Sequence, residues 1–231
     1  MRSIPSRTWI LLAAWAVLFS LPALAHKPVV IDGGPTTAET AHEIADIDLS
    51  QVGYHEATTA APEMWFTFEA TAGEPLFFQL GVPEIARYEG LRPAAVLLGP
   101  GLPEVGVPFQ VPEGYGGTVY GTAGVEPVVF DEEFTGTISW QFPAVETPLP
   151  VSGRYYLVGY LPGGAEGKFW MAIGKREQFG LSDILTLPSV LFQVRAFHEV
   201  GPVGGILFWF LAGLVLILLW LFRTLLGFLL A

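Results

Sequence analysis

The sequence predicts a mainly β protein, an antiparallel, jelly-roll-like β-sandwich followed near the C-terminus by a transmembrane α-helix. The sandwich is indicated by roughly seven short runs of alternating apolar and polar residues, separated by turns rich in Gly and Pro. The helix is indicated by residues 203–222, which contain no charged residue, no amide and no proline. A helix of about 20 residues spans about 30 Å, which is the thickness of the hydrocarbon core of a bilayer.

Residues 1–25 have the pattern of a secretory signal peptide. Two arginines precede a short apolar stretch, which ends in an A-x-A cleavage motif at Ala25. The signal is either removed after Ala25 or retained as an uncleaved anchor. Export combined with an anchor at residues 202–223 predicts a single-pass protein of the cytoplasmic (inner) membrane. Its body, residues 26–177, then lies in the periplasm or the extracellular space.

The ends of the apolar run carry residues that are typical of membrane interfaces. Trp209 and Trp220 lie toward its two ends, where indole rings favour the headgroup region. Arg223 follows the run and is expected on the cytoplasmic side, as the positive-inside rule prefers. The tail, residues 224–231, is too short to form a domain.

The body begins to alternate at residues 64–70, and the alternation resumes at residues 76–80 after a short connection that contains a glycine. Two such runs predict a β-hairpin. Residues 94–98 predict a third, fully apolar strand. Residues 99–126 are rich in Gly and Pro and predict a long irregular segment, either a functional surface loop or a mobile one.

The later part of the body predicts further strands at residues 128–130, 137–142, 153–158 and 168–173. The stretches MWFTFEATAGEPLFFQLGVP, AAVLLGPG and VSGRYYLVGYLPGGAEGKFWMAIG together resemble the bacterial pre-peptidase C-terminal (PPC) domain. The resemblance covers residues 65–175 and rests on packing residues. It implies a non-catalytic, jelly-roll-like sandwich that accompanies secreted enzymes or surface proteins. The chain departs from that pattern by an insertion at residues 101–134 and by the lack of an attached peptidase.

Residues 178–201 predict a juxtamembrane segment between the body and the anchor. Pro188 suits the first position of a helix that runs to about Glu199. Its apolar stripe consists of Val190, Leu191, Val194 and Phe197. The segment is either an amphipathic helix, lying at the interface or against the sandwich, or a plain apolar stalk.

Composition restricts the function. The net charge of -11 argues against nucleic acid, because binding to it depends on neutralising phosphates. The absence of cysteine excludes disulfides, thiolate metal sites and cysteine nucleophiles. No catalytic motif is present, so we expect no enzyme and no cofactor. The sequence predicts an interaction or accessory module of the cell envelope, with the lipid bilayer and a membrane or envelope protein as partners.

Three sets of residues are candidates for a specific role. Cleavage after Ala25 would leave His26 at the mature N-terminus, where its amine and ring, with His42 or His55, could bind copper. Tyr115 and Tyr120 in the glycine-rich segment could contact a partner, or they pack within their own loop. The acidic run at residues 131–133 is either a calcium site or a solvated loop.

Overall fold

The computed structural model describes residues 27–30, 36–178 and 181–201, together with eight single positions between 213 and 223. The described strands are β1 (Lys27–Val30), β2 (His42–Glu43), β3 (Gln51–Ala57), β4 (Glu63–Ala70), β5 (Pro75–Pro83), β6 (Ala94–Gly99), β7 (Gly116–Gly121), β8 (Val128–Glu132), β9 (Thr137–Gln141), β10 (Val145–Pro148), β11 (Gly153–Tyr160) and β12 (Gly167–Ile173). One α-helix, α1, spans Leu181–Phe197, and short 3-10 helices lie at Ala38–Thr40, Ala86–Tyr88 and Pro162–Gly164.

The strands form two sheets, which confirms the predicted mainly β fold. The seven-stranded sheet has the order β1-β3-β12-β5-β9-β8, with β10 also paired to β5. The five-stranded sheet has the order β2-β4-β11-β6-β7. All pairings but two are antiparallel; β1 pairs with β3, and β2 with β4, in parallel. The all-antiparallel prediction is wrong for these two pairs. In sequence, β2 of the other sheet comes between β1 and β3, and β3 comes between β2 and β4, so neither pair is joined by the tight turn of a hairpin.

The core lies between the two sheets and follows the alternation seen in the sequence. Its predicted residues are all buried there, namely Met64, Phe66, Phe68 and Ala70 in β4, Leu76, Phe78 and Leu80 in β5, and Phe169, Met171 and Ile173 in β12. The sheets approach closely at Gly53 in β3, where a Cβ atom would lie 2.4 Å from the ring of Phe66. Glycine is required at that point because any side chain would separate the sheets.

The predicted hairpin at residues 64–80 is wrong. β4 belongs to the five-stranded sheet and β5 to the seven-stranded sheet, so the connection between them crosses from one sheet to the other. In that connection the Glu74 carboxylate accepts hydrogen bonds from the Thr71 amide (2.8 Å) and hydroxyl (2.9 Å). The two strands bury their apolar faces against each other from opposite sides of the core, which alternation alone does not distinguish from pairing.

The predicted irregular segment at residues 99–126 is only partly irregular. Gly116–Gly121 forms β7, which pairs with β6 along its length. The residues before β7 lie over the outer face of the five-stranded sheet, where the Phe109 ring packs edge-on against Trp65 at 5.3 Å. Burial of its apolar side chains against this sheet gives the segment a defined position despite its Gly and Pro content.

Helix α1 begins at Leu181, so Pro188 lies inside it and the predicted start at Pro188 is wrong. An interior proline costs a helix about 3 kcal/mol. The turns after Pro188 are stabilised by packing, because Val194 is fully buried and the Phe197 ring contacts Tyr54 edge-on at 5.1 Å. The helix therefore lies against the outer face of the seven-stranded sheet.

Both predicted hydrophobic ends fall largely outside the described residues. Residues 1–25, His26 and Trp209 are not among them, whereas Trp220 and Arg223 lie in helical backbone. No helix within the described positions is long and apolar enough to cross a membrane.

Candidate functional site

The last turn of α1 is joined to the seven-stranded sheet by a buried chain of hydrogen bonds. His198 Nδ1 lies 2.8 Å from the Val194 carbonyl oxygen, which can only accept, so Nδ1 carries the proton. The other ring nitrogen, Nε2, then accepts from the Ser139 hydroxyl at 3.0 Å. The Ser139 oxygen in turn accepts from the Trp170 indole N–H, also at 3.0 Å. Helix, β9 and β12 are thereby linked in one chain.

Burial keeps His198 neutral. Removal from water lowers its pKa to about 4, and the nearby Lys168 charge also lowers it, while the bond to the Val194 carbonyl opposes the shift. A neutral imidazole matches the hydrogen-bond directions of the chain. Protonation would place a second proton on Nε2, which could no longer accept from Ser139.

Glu199 follows the helix and binds two basic side chains. Its backbone has a φ of 58°, the left-handed conformation common just after a helix end. Its carboxylate accepts from both terminal nitrogens of Arg87 and, at 2.8 Å, from the buried Lys168 amine. The hydrogen bonds from Arg87 and then Lys168 lower the pKa of Glu199 to about 2. The carboxylate therefore remains charged and fixes the chain at the end of α1.

Arg195 makes the third connection of the helix end. One of its terminal nitrogens donates to the carbonyls of Thr135 (2.6 Å) and Gly136 (3.1 Å) in the turn between β8 and β9. Its other donors reach the Gly201 carbonyl at 2.9 and 2.7 Å. The same guanidinium thus holds both the sandwich and the residue immediately before Pro202. We call the contacts of Arg195, His198 and Glu199 with the sandwich the helix joint.

The Ser139–His198 pair resembles the start of a nucleophilic dyad in its hydrogen bonding. Its surroundings differ, because Ser139 is 4% exposed and His198 is 7% exposed. The adjoining cavity has a volume of about 30 Å³ and is lined by both residues. Through its hydrogen bonds the pair connects the end of the helix to the sheet.

The sequence did not single out Ser139 or the helix joint. A signal was present for His198, which continues the apolar stripe four residues after Val194 and therefore lies on the buried face of α1. No pattern in the sequence pairs it with Ser139, because 59 residues separate them.

The two tyrosines proposed as partner contacts pack against the sandwich. The ring of Tyr120, in β7, lies edge-on to the buried Phe78 at 5.2 Å. The ring of Tyr115 lies 5.6 Å from that of Tyr156. Both tyrosines are half-buried, so each retains some exposed surface, and their contact with a partner stays a prediction.

The histidines proposed as copper ligands lie in different sheets, His42 in β2 and His55 in β3. His55 is buried, and its Nε2 donates to the Ala61 carbonyl at 3.0 Å. Burial lowers the pKa of both imidazoles. In the described part of the chain, no three His, Asp or Glu side chains are placed to hold one metal ion. Since His26 lies outside that part, copper binding stays a prediction.

Comparisons with known proteins find distantly similar solved structures. Neither a protein-family model nor a curated protein matches the sequence. One similar solved structure is the PPC domain of a collagenase from Bacillus anthracis, with 13% identity, a TM-score of 0.30 and coverage of 59% of this chain and 97% of that one. Another is CorA, a surface-associated copper-binding protein important in copper acquisition by Methylomicrobium album BG8, with 10% identity, a TM-score of 0.34 and coverage of 66% and 99%.

The predicted β-sandwich is confirmed by its own strand pairing, which forms two sheets. Likeness at these identities and TM-scores says nothing about the activity, ligands or partners of this chain.

Proposed function

We propose that this protein is a non-enzymatic, membrane-anchored module that presents an acidic β-sandwich outside the cytoplasm to a protein of the cell envelope. The observation that carries the proposal is the helix joint. Arg195, His198 and Glu199 bind the sandwich directly before the apolar run at residues 203–222. A domain tied down at its last helix is held in one orientation above its anchor, whereas a flexible linker would let it turn freely.

The surface chemistry supports binding to protein rather than to nucleic acid or anionic lipid. The chain has a net charge of -11, and five of its basic side chains in the described sandwich and helix are already paired with carboxylates. A surface of this sign repels phosphates. Electrostatic attraction instead favours a partner that carries basic residues.

The absence of cysteine from the sequence allows a direct test of topology. Ala123→Cys places one thiol at an exposed position of the sandwich, and Ala231→Cys places one at the last residue of the chain. A membrane-impermeant maleimide should label the thiol at position 123 in cells with a permeable outer layer. It should label the thiol at position 231 only after the inner membrane is opened.

Alkaline extraction tests attachment to the membrane, and the chain should remain with the membrane after it. Release by alkali, or equal labelling at both positions, would contradict the proposal.

A further inference from the structure

The outer edge of the seven-stranded sheet exposes an unusual amount of apolar surface. Val128 and Val129 in β8 are 63% and 64% exposed, and Ile138 in β9 is 39% exposed. Within the described residues, β8 pairs with β9 alone, which leaves the backbone groups along its other side without a strand partner. Open edges of this kind accept an additional strand from another chain. We call residues 126–133 together with Ile138 the β8 edge.

The β8 edge also carries uncompensated negative charge. Glu126, Asp131 and Glu133 are exposed, and none of them forms an ion pair in the described part of the chain. Arg195, which contacts the adjoining turn, donates to backbone carbonyls there rather than to a carboxylate. The pKa of Glu132 is raised, first by burial and then by the charges of Glu177, Asp131 and Glu133. These carboxylates therefore repel one another in the free protein.

The negative charge of the β8 edge favours some ligands over others. The described carboxylates are not placed to share a metal ion, so a single bound cation would not neutralise this surface. A second copy of the chain would bring the same acidic residues to the contact and be repelled. Anionic lipid would be repelled in the same way. A chain segment with several basic side chains spreads its positive charge along the strand direction, as the carboxylates are spread here.

We propose that the β8 edge is the docking site for an extended, basic segment of the partner protein, which adds as a strand beside β8. Backbone hydrogen bonds to β8 provide the pairing, and apolar side chains of the segment cover Val128 and Val129. Its Lys or Arg residues lie against Asp131 and Glu133. The inference rests on the proposed function, because it names the surface through which the module binds its partner.

Site-specific photo-crosslinking of the full chain in its native membrane tests this. A photoreactive phenylalanine analogue replaces Val129, and the matched control carries it at Val119, a 42% exposed valine in β7, the edge strand of the other sheet. We expect an adduct from position 129 and little from position 119. Mass spectrometry should identify the crosslinked segment as one of net positive charge. An acidic segment, a segment of this same chain, or no adduct at position 129 would overturn the proposal.

Charge reversal gives the second measurement. Asp131→Lys combined with Glu133→Lys should reduce the position-129 adduct about tenfold or more, because repulsion between like charges replaces attraction. The matched control, Glu104→Lys with Glu113→Lys, reverses two exposed carboxylates of the segment before β7 and should leave the adduct unchanged. An equal effect of both pairs would overturn the β8 edge as the contact.

Co-purification from the same cells distinguishes failure of this inference from failure of the proposed function. Partners that co-purify without crosslinking at position 129 contradict only this inference, whereas the lack of any partner contradicts the proposed function as well.

Discussion

His198 makes the stability of the helix joint depend on pH. Its pKa is about 4 in the folded protein and about 6.5 in an unfolded chain, so between these values the unfolded state binds more protons. Stability should therefore fall as the pH drops from 6.5 to 4, by on the order of 3 kcal/mol in total. Glu199 acts in a lower window, because its pKa of about 2 means that its contribution is lost only below about pH 4.5.

Urea unfolding of the full chain in detergent, at several pH values between 7 and 4.5, measures this dependence. His55 is also buried with a lowered pKa and contributes to the same window, so the informative quantity is the difference from His198→Gln. The variant should lose less stability over this range than the parent chain. Parallel curves for the two proteins would show that His198 is not buried in its neutral form.

Ser139 is the acceptor and donor at the centre of the hydrogen-bonded chain. Ser139→Ala leaves the Trp170 N–H and the His198 Nε2 buried without partners. An unsatisfied buried polar group costs about 1–3 kcal/mol, so we expect a loss of about 2 kcal/mol or more in the free energy of unfolding. Ser189→Ala, at an exposed position of α1, is the matched control and should change it by less than about 0.5 kcal/mol. Equal values for the two variants would contradict the assigned hydrogen bonds.

Copper binding by His26 is a separate prediction about a single residue. N-terminal sequencing of the mature chain decides its first requirement, since any terminus other than His26 contradicts it. If His26 is the terminus, the protein should bind about one equivalent of Cu(II), and His26→Ala should abolish binding, because the ring nitrogen adjacent to the terminal amine is then lost. A titration followed by electron paramagnetic resonance distinguishes this from adsorption to carboxylates.

At the scale of strands and helices, the sequence predicted which residues face the core better than it predicted which strands pair. Alternation places Met64, Phe66 and Phe68 on the buried face of β4, and they are buried. It carries no information about the neighbouring strand, and β5 lies in the opposite sheet although a short turn connects it to β4. The start of α1 was predicted at Pro188 because proline is common at the first position of a helix. The helix instead begins at Leu181 and continues through Pro188, because the residues after Pro188 pack against the sheet.

The two ion pairs of Glu199 should contribute unequally to the docking of α1. Lys168 is buried, and Glu199→Ala leaves its charge without a counter-ion, which is strongly destabilising. The Arg87 side chain is 53% exposed, so Arg87→Ala should cost much less, because solvent screens an exposed ion pair. Hydrogen exchange of the α1 amides should accelerate far more in the first variant than in the second. Similar acceleration in both would mean that the exposed pair dominates.

At the scale of the whole molecule, composition predicted more than motifs did. The acidic charge and the length of the body are sums over its residues, and they led to the prediction of one domain that does not bind nucleic acid; its protein partner stays a prediction. The helix joint depends instead on residues far apart in the chain, such as Arg87 with Glu199, which are 112 positions apart. Contacts at that separation are set by the packed sandwich, and no local pattern encodes them.

The proposed function requires a fixed orientation of the sandwich above its anchor, and this requirement can be tested separately from stability. A six-residue Gly-Ser insertion after Gly201 leaves every contact of the helix joint in place but adds a flexible link of about 13 Å before the anchor. The unfolding temperature should be unchanged, whereas the yield of co-purified partner should fall several-fold, because the sandwich no longer faces one direction. The same insertion between the exposed Gly163 and Gly164 controls for added length and should leave the yield unchanged. An undiminished yield after the first insertion would mean that the partner follows the sandwich wherever it turns, and that the helix joint serves stability alone.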